Sequence, residues 1–112
     1  MAGTPKRLAG PLALTNTTTT NIYNQGSAAA YDVITQILVT NKTAGSANFS
    51  LWLGATGANA AGTELFSAHV VPANSEFVFF CRLRMDSTDF LVGGASANTT
   101  LTITVMGERN AV

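Results

Sequence analysis

The sequence predicts an all-β protein: a single-domain antiparallel β-sandwich, jelly-roll-like, with an extended N-terminal arm. Three observations predict this fold class. Apolar residues alternate with polar ones, or run in short blocks rich in β-branched and aromatic residues. No segment has the apolar spacing of an amphipathic helix. Gly, Asn, Pro and Ser separate the apolar stretches at short intervals, which is typical of sandwiches and jelly rolls.

The first 20 residues are predicted to form the extended arm and a polar loop, followed by the sandwich domain at residues 21–112. Pro5 and Pro11 lie in the arm, and no alternation of apolar residues is strong enough to anchor it in a sheet. The polar, low-complexity segment TNTTTTN that follows favours a loop or an edge strand. We therefore expect the arm to be free to reach a neighbouring molecule.

Two strands are predicted in the next part of the chain. One lies in TTNIYN, near Ile22, and the other is YDVITQILVTN, which is rich in β-branched residues. Successive side chains point to opposite faces of a strand, so the second strand divides its apolar residues between two faces. These residues are Val33, Ile37 and Val39 on one face, with Thr35, and Ile34 and Leu38 on the other.

Three further strands are predicted around a loop rich in Gly and Ala. ANFSLWLG precedes the loop and places Phe49, Leu51 and Leu53 together, with Trp52 on the opposite face. TELFSAHVV follows the loop, and EFVFFCRLR follows a turn at VPANS. The two predicted faces of EFVFFCRLR are Phe77, Phe79, Cys81 and Leu83 on one side, and Val78, Phe80, Arg82 and Arg84 on the other.

The last two predicted strands are DFLVGG and TLTITVMG. The second has the cleanest alternation in the chain, with Leu101, Ile103 and Val105 facing inward and Thr102, Thr104 and Met106 facing outward. The total is seven or so strands, with turn residues between them. Gly supplies positive φ angles in these turns, while Asn and Asp side chains can bond their own backbone.

The composition argues against partners with strong charge. Charged residues make up 11% of the chain, less than half of the ~25% that is usual in soluble domains, and the net charge is +0. A nucleic-acid-binding protein would show a basic excess, and Lys6 with Arg7 is too small a footprint. No apolar run approaches the ~20 residues of a membrane span. We therefore expect neither nucleic acid nor a membrane as partner, and the bland surface suits a protein packed in an assembly.

One stretch resembles a phosphate-binding loop in its spacing. In LWLGATGANAAGTELF, four residues separate Gly57 from Gly62, and Thr63 follows at the position where such a loop needs lysine. A helix must follow to receive the phosphate, but the next residues are apolar, β-branched and close to Pro72. The stretch is therefore interpreted as a flexible loop between two strands.

No candidate catalytic or metal site emerges from the sequence. His69 is the only histidine, and nothing in the pattern supplies the nucleophile or orienting carboxylate that a catalytic histidine needs. Cys81 is the only cysteine and is expected to be buried and inert. The six carboxylates are scattered. We expect a protein that is not an enzyme and has no cofactor and no metal.

The candidate interface residues lie in the N-terminal arm, or are large apolar or basic side chains that the alternation places away from the core. Arg82 and Arg84 could form a charge patch between subunits with Asp86 and Asp89, or a solvated strand edge. Trp52 could face a partner or pack in a second small core, and Phe80 raises the same question. The full set is Lys6, Arg7, Leu8, Trp52, Phe80, Arg82 and Arg84.

The order of several short motifs resembles a known group of proteins. An Ile/Val strand ending in VTN is followed by TAGSA, FSLWLG, a Gly/Ala loop, VPANSEF, GGAS and a final LTITVMGE, after the opening PKRLAGPLALT. This order is similar to that of the small, Ala- and Thr-rich β-sandwich virion structural proteins of tailed bacteriophages. The resemblance covers most of the chain.

The resemblance implies a non-enzymatic virion component, assembled in the host cytoplasm. Within that group we expect an oligomeric head decoration or capsid-stabilising protein. We expect it to form a homotrimer and to bind the major capsid protein or another virion protein. A tail, tail-tip or fibre-associated protein is the first alternative. A receptor- or carbohydrate-binding module is the second, with Trp52, Tyr23 and Tyr31 as the aromatic candidates. An enzyme of unknown type is the third.

Overall fold

The computed structural model describes residues 3–57, 59 and 61–111 and folds them into eight strands. In chain order these are β1 (Thr4–Ala13), β2 (Asn21–Asn24), β3 (Ala30–Asn41), β4 (Ala47–Gly54), β5 (Glu64–Val71), β6 (Ser75–Met85), β7 (Phe90–Ala95) and β8 (Leu101–Ala111). Strands β2 to β8 correspond to the seven predicted ones. None of the described residues forms a helix long and apolar enough to cross a membrane.

The strands form two four-stranded antiparallel sheets that pack as a sandwich. The first sheet has the order β1-β8-β3-β6, and the second has the order β2-β7-β4-β5. Most consecutive strands lie in different sheets, so the chain repeatedly crosses between the layers. The prediction of an all-β antiparallel sandwich is confirmed, and this strand order is consistent with a jelly roll.

The core lies between the two sheets and follows the predicted alternation in several strands. Leu101, Ile103 and Val105 of β8 are all 0% exposed. Phe49 and Leu51 of β4 face the same core, with Leu53 half-buried beside them. The alternation of β6 also holds, because every second residue from Glu76 to Arg84 is exposed while the residues between them are not.

The predicted faces of β3 are wrong at one end of the strand. Ile34 and Ile37 were assigned to opposite faces, but both are 0% exposed and belong to the core. The cause is a register shift between Ile34 and Gln36, which occurs in the pairing of β3 with both β6 and β8. An irregularity of this kind adds a residue between two inward-facing positions and reverses the alternation beyond it. Val33 is consequently only half-buried.

The N-terminal segment is extended, as expected, but the expectation of a free arm is wrong, because most of the segment is anchored to the sandwich. Residues 4–13 form β1, which pairs with β8 along an edge of the first sheet. Leu8 is 7% exposed and Leu14 is 2% exposed, so two leucines rather than a regular alternation attach it to the core. Pro5 and Pro11 are tolerated because prolines can occupy an edge strand. The division of the chain after residue 20 stays a prediction.

The polar TNTTTTN segment is a loop that lies across β7. The N–H of Ala95 donates to the carbonyl of Thr15 at 2.8 Å, and the N–H of Gly93 donates to the carbonyl of Thr20 at 3.0 Å. Close backbone approach from this loop at Gly94 and from β4 at Gly93 explains the glycine pair in β7. A Cβ atom at Gly94 would lie 2.7 Å from the Thr15 oxygen, and one at Gly93 would lie 2.2 Å from the Ser50 oxygen.

The described part of the Gly/Ala loop contacts its own chain. The N–H of Gly57 donates to Asn21 Oδ1 at 2.7 Å, and Asn59 Nδ2 donates to Thr18 Oγ1 at 3.2 Å. The described part of the loop therefore lies beside the Thr-rich segment and the start of β2. Val92, which pairs with Trp52 in the sheet, is 0% exposed although it is not part of the core between the sheets.

Candidate assembly surface

The structure divides the predicted interface residues among four places. Lys6 and Arg7 are exposed on β1, at one edge of the first sheet. Phe80, Arg82 and Arg84 are exposed on β6, at the opposite edge of the same sheet. The remaining two candidates are Leu8, which is buried in the core, and Trp52, which is half-buried on the outer face of the second sheet.

The outer face of the first sheet carries a group of exposed apolar side chains. Phe80 is 74% exposed, Val78 is 39% exposed and Met106 is 37% exposed. Pairing across the sheet aligns Phe80 with Gln36 and Met106, and aligns Val78 with Leu38. We call Val78, Phe80, Leu38 and Met106 the outer apolar face. Apolar side chains grouped on the exposed face of a sheet can mark an interaction surface.

The two arginines of β6 are paired within the chain. Arg84 Nε donates to Asp86 Oδ1 at 2.9 Å, and its guanidinium lies 4.0 Å from the centre of the Tyr31 ring. Arg82 Nη2 lies 4.0 Å from Glu108 Oε1. Both pairs are exposed, and pairs of this kind contribute about 0–1 kcal/mol to folding. The two ion pairs therefore place charges beside the outer apolar face and contribute little to the stability of the fold.

The open side of the sandwich, between the edge strands β5 and β6, is lined by aromatic rings. The His69 ring centre lies 4.1 Å from that of Phe77 and 5.5 Å from that of Phe49, and Phe66 stands edge-on to Phe79 at 5.0 Å. Phe66, Phe77 and Phe79 are only half-buried, although they face inward. His69 is thus one member of an aromatic cluster, which matches a structural role.

Cys81 belongs to the same half-buried face of β6. Its Sγ donates to the carbonyl oxygen of Ile34 at 3.4 Å. Burial raises the pKa of the thiol, with a smaller opposing effect from a backbone hydrogen bond of Leu83. A raised pKa disfavours the thiolate, which is the reactive form.

A polar cluster centred on the buried Asp32 joins the two sheets at one end of the sandwich. Tyr23 of β2 donates its hydroxyl to Asp32 Oδ2 of β3 at 2.5 Å. Arg109 of β8 donates from Nε to Asp32 Oδ1 at 2.9 Å, and from Nη2 to Asp32 Oδ2 at 3.2 Å and to the Tyr23 oxygen at 3.0 Å. Asp32 is 0% exposed. We call Tyr23, Asp32 and Arg109 the inter-sheet cluster.

The electrostatics of the inter-sheet cluster keep Asp32 ionised and Tyr23 neutral. Burial by itself would raise the pKa of Asp32, but the hydrogen bonds from Arg109 and Tyr23 and the nearby positive charges lower it overall. Burial, followed by the hydrogen bond to Asp32, raises the pKa of Tyr23 to about 12. The hydrogen bond to Asp32 raises the pKa of Arg109.

The inter-sheet cluster was missed in the sequence because its members are far apart in the chain. One signal was present: Asp32 stands in a strand whose other residues are mostly apolar or β-branched. A carboxylate there must be paired or neutralised. Because Asp32 is inaccessible and hydrogen-bonded through both oxygens, the cluster can hold β2 of one sheet to β3 and β8 of the other, but it cannot reach a substrate.

The raised pKa of Tyr23 leads to a testable expectation. The unfolded chain ionises this tyrosine near 10, whereas the folded protein holds it protonated to about 12. The unfolded state therefore binds fewer protons in this window, and the stability associated with Tyr23 is lost as pH rises from 10 to 12.

Difference absorbance titration of the wild type against Tyr23→Phe checks this expectation. We expect the Tyr23 phenolate to appear with a midpoint of about 12. A midpoint near 10 in a folded protein would show that burial and the Asp32 hydrogen bond do not hold the proton.

Other potential sites are sparse in the described residues. None of them form a group of three or more His, Cys, Asp or Glu side chains that could hold a metal ion. A cavity of about 380 Å³ is lined only by polar or charged residues, which are Thr40, Asn41, Lys42, Asn74, Ser75 and Glu76. The three aromatic candidates for glycan binding lie elsewhere: Trp52 on the second sheet, Tyr31 beneath Arg84, and Tyr23 in the inter-sheet cluster.

Comparison with known proteins finds no related family and a weak structural similarity. No protein family matches the chain, and no curated protein matches it. A solved structure titled "Structure of infectious bursal disease virus Gx strain" is similar at a TM-score of 0.36 and 8% sequence identity. The match covers 97% of this chain and 26% of that chain, so this chain spans about a quarter of that protein's length. At this TM-score the likeness carries no argument about function.

Proposed function

We propose that this chain is a non-enzymatic structural protein of a bacteriophage virion, a head decoration or capsid-stabilising protein. The observation that carries the proposal is the outer apolar face, with Phe80 at its edge 74% exposed. A small neutral sandwich with such a face is suited to a protein-protein contact. The order of its motifs resembles that of the small virion proteins of tailed phages, and on that resemblance we infer that the assembly is a phage particle.

The charge of the chain supports a role in a crowded assembly. With a formal net charge of +0, copies bound close together on a shell repel one another little. Several weak contacts made at once by an oligomer give tight binding without strong single contacts. The predicted trimer stays a prediction, and so does the major capsid protein as the partner.

The competing functions have weaker support in the described residues. A carbohydrate-binding site would need aromatic and polar side chains together on one exposed face, whereas Trp52, Tyr31 and Tyr23 are dispersed. An active site would need an accessible group held beside a partner, whereas the best-connected carboxylate, Asp32, is 0% exposed. We therefore propose that the chain has no catalytic function.

Co-sedimentation with purified heads, and separately with purified tails, of the encoding phage tests the proposal. We expect the protein to sediment with heads that lack it, and Met106→Glu to weaken that binding at least tenfold because it places a charge in the outer apolar face. Val70→Glu is the matched control, since Val70 is 57% exposed on the second sheet. Binding to tails alone would move the protein to the tail. Binding to neither would overturn the virion role.

A further inference from the structure

Strand β6 leaves one of its edges unpaired at the end of the first sheet. It is 11 residues long, and only its β3 side is paired among the described residues. An exposed edge presents a row of free N–H and C=O groups that can pair with another strand, and natural proteins usually protect long edges with proline, bulges or covering loops. β6 contains no proline. Its pairing with β3 has a register shift between Leu83 and Phe80, but its exposed residues continue to alternate through that shift, and its middle residue is the exposed Phe80.

The sequence of β6 is complementary to itself when it is read in the antiparallel direction. Phe80 is the sixth of the eleven residues in SEFVFFCRLRM, so pairing two copies over the full strand places Phe80 opposite Phe80. On the same face, Glu76 then lies opposite Arg84 of the second copy, and Val78 lies opposite Arg82. The Glu–Arg pair occurs twice because the arrangement is two-fold symmetric.

We propose that β6 docks antiparallel against β6 of a second copy of this chain, about a two-fold axis at Phe80. The two first sheets then form one continuous eight-stranded sheet. Opposite charges and aromatic pairs directly across an antiparallel ladder are each favourable. The arginine has a fork of donors, and the hydrogen bond of Arg84 to Asp86 uses only Nε, so its other N–H groups can donate to the carboxylate of Glu76 in the second copy.

The inner face of β6 adds apolar contact to the same pairing. Phe77 lies opposite Leu83 of the second copy, and Phe79 lies opposite Cys81. All four are half-buried in the single chain although they face inward, so the end of the sandwich is incompletely covered there. A second copy extends the sheet past this end and brings four more apolar side chains alongside.

Neighbouring registers are less complementary. A two-fold axis at Cys81 places Glu76 opposite Asp86, so two carboxylates meet and the Glu–Arg pairs are lost. An axis at Phe79 retains a Glu76–Arg82 pair, but it leaves Arg84 and Met85 of β6 without an opposing strand residue. Only the axis at Phe80 pairs all eleven residues of β6.

The mass of the purified protein in solution tests the contact. We expect a dimer of twice the 11.6 kDa chain mass at a protein concentration on the order of 100 µM, where even a contact of micromolar affinity is saturated. Phe80→Glu places two carboxylates opposite each other and should yield a monomer, with Kd raised at least a hundredfold. Phe80 is exposed in the single chain, so this variant should keep its fold, which circular dichroism checks.

Met106→Glu is the matched control for this experiment. Met106 lies on the same outer face as Phe80, but β3 separates it from β6. Edge-to-edge pairing leaves the mass of this variant unchanged. If Met106→Glu also dissociates the dimer, the copies pack face to face and the proposal is overturned. A wild-type monomer overturns it as well, and so does the homotrimer that the motif resemblance predicts, because pairing about a two-fold axis gives a dimer in its place.

Cysteine cross-linking tests the register. In a Cys81→Ser background, Phe80→Cys places two cysteines directly opposite, with Cα atoms about 4.5–5.5 Å apart, within disulfide range. We expect rapid intermolecular disulfide formation at low protein concentration. Val78→Cys in the same background is the control, since its two copies lie four residues apart along the strand, about 13 Å, and cannot bridge. Faster cross-linking through position 78 overturns the axis at Phe80.

The dimer and the virion role fail separately. The mass and cross-linking measurements use only the purified protein, whereas the head-binding measurement needs phage particles. A dimer that ignores heads and tails keeps this inference and removes the virion role, and a monomer that binds heads does the reverse.

Discussion

Asp32→Ala is expected to lower the free energy of unfolding by about 3 kcal/mol at neutral pH, at the lower end of the range for removing one partner of a buried ion pair, because the Arg109 side chain left behind is 33% exposed and is partly solvated. Asp32 is 0% exposed and accepts hydrogen bonds from both Tyr23 and Arg109. Its loss leaves the Tyr23 hydroxyl and the Arg109 guanidinium without their shared acceptor between the sheets. Urea unfolding followed by circular dichroism measures the change.

Asp86→Ala is the matched control for Asp32→Ala. Asp86 also pairs with an arginine at 2.9 Å, but its side chain is 56% exposed and that of Arg84 is 58% exposed. Water and salt screen such a pair, so the expected loss is about 0–1 kcal/mol. Equal losses of unfolding free energy in the two variants would show that burial does not determine how much the inter-sheet cluster stabilises the protein.

The pH dependence of the free energy of unfolding gives a second measure of the contribution of Asp32. The pKa of Asp32 is lowered in the folded protein, so the unfolded chain binds its proton first as pH falls. The stability that Asp32 contributes is fully present above about pH 4, where the unfolded carboxyl is ionised, and is lost as pH falls through the folded pKa. We expect Asp32→Ala to lack this part of the acid-induced loss.

Phe49→Ala has the other large expected effect, a loss of about 3–5 kcal/mol, in the range for removing a buried phenylalanine ring. Phe49 is 1% exposed, and its ring centre lies 5.4 Å from that of Phe66, 5.5 Å from that of His69 and 5.9 Å from that of Phe77. Truncation opens a cavity where β4, β5 and β6 meet. Urea unfolding at several protein concentrations measures the loss.

Phe80→Ala is the control with the same chemical change on a surface. Phe80 is 74% exposed, so within a single chain its removal should change stability by less than about 0.5 kcal/mol. If β6 pairs with a second copy, stability rises with protein concentration, and Phe80→Ala removes part of that rise. A loss for Phe49→Ala that matched the loss for Phe80→Ala at low concentration would contradict the packing of Phe49 in the core.

The outer apolar face and the unpaired edge of β6 belong to the same sheet, and we expect them to bind different partners. The edge pairs with a second copy through Glu76, Phe80 and Arg84, while the middle of the sheet, with Leu38 and Met106, stays available for another partner. The contrast between Met106→Glu and Phe80→Glu therefore separates binding to a virion surface from pairing between copies.

The sequence by itself determined the fold class and seven of the eight strands. Alternation placed Leu101, Ile103 and Val105 in the core and left Phe80 outside it, because the pleat of a strand puts neighbouring side chains on opposite faces. These properties depend on residues close together in the chain, and local pattern is sufficient to predict them.

Three features were decided only by the tertiary structure. The irregularity beside Gln36 turns both Ile34 and Ile37 inward, and it is set by pairing with two neighbouring strands. The strand β1 lacks a clear alternation of its own and is held by β8, nearly 100 residues further along the chain. The inter-sheet cluster joins Tyr23, Asp32 and Arg109, which are brought together only when the two sheets pack. Hydrogen bonds and ion pairs between sheets form only when residues distant in sequence come within a few ångströms of each other. Those distances are set by the packing of the folded chain, and local sequence pattern does not predict them.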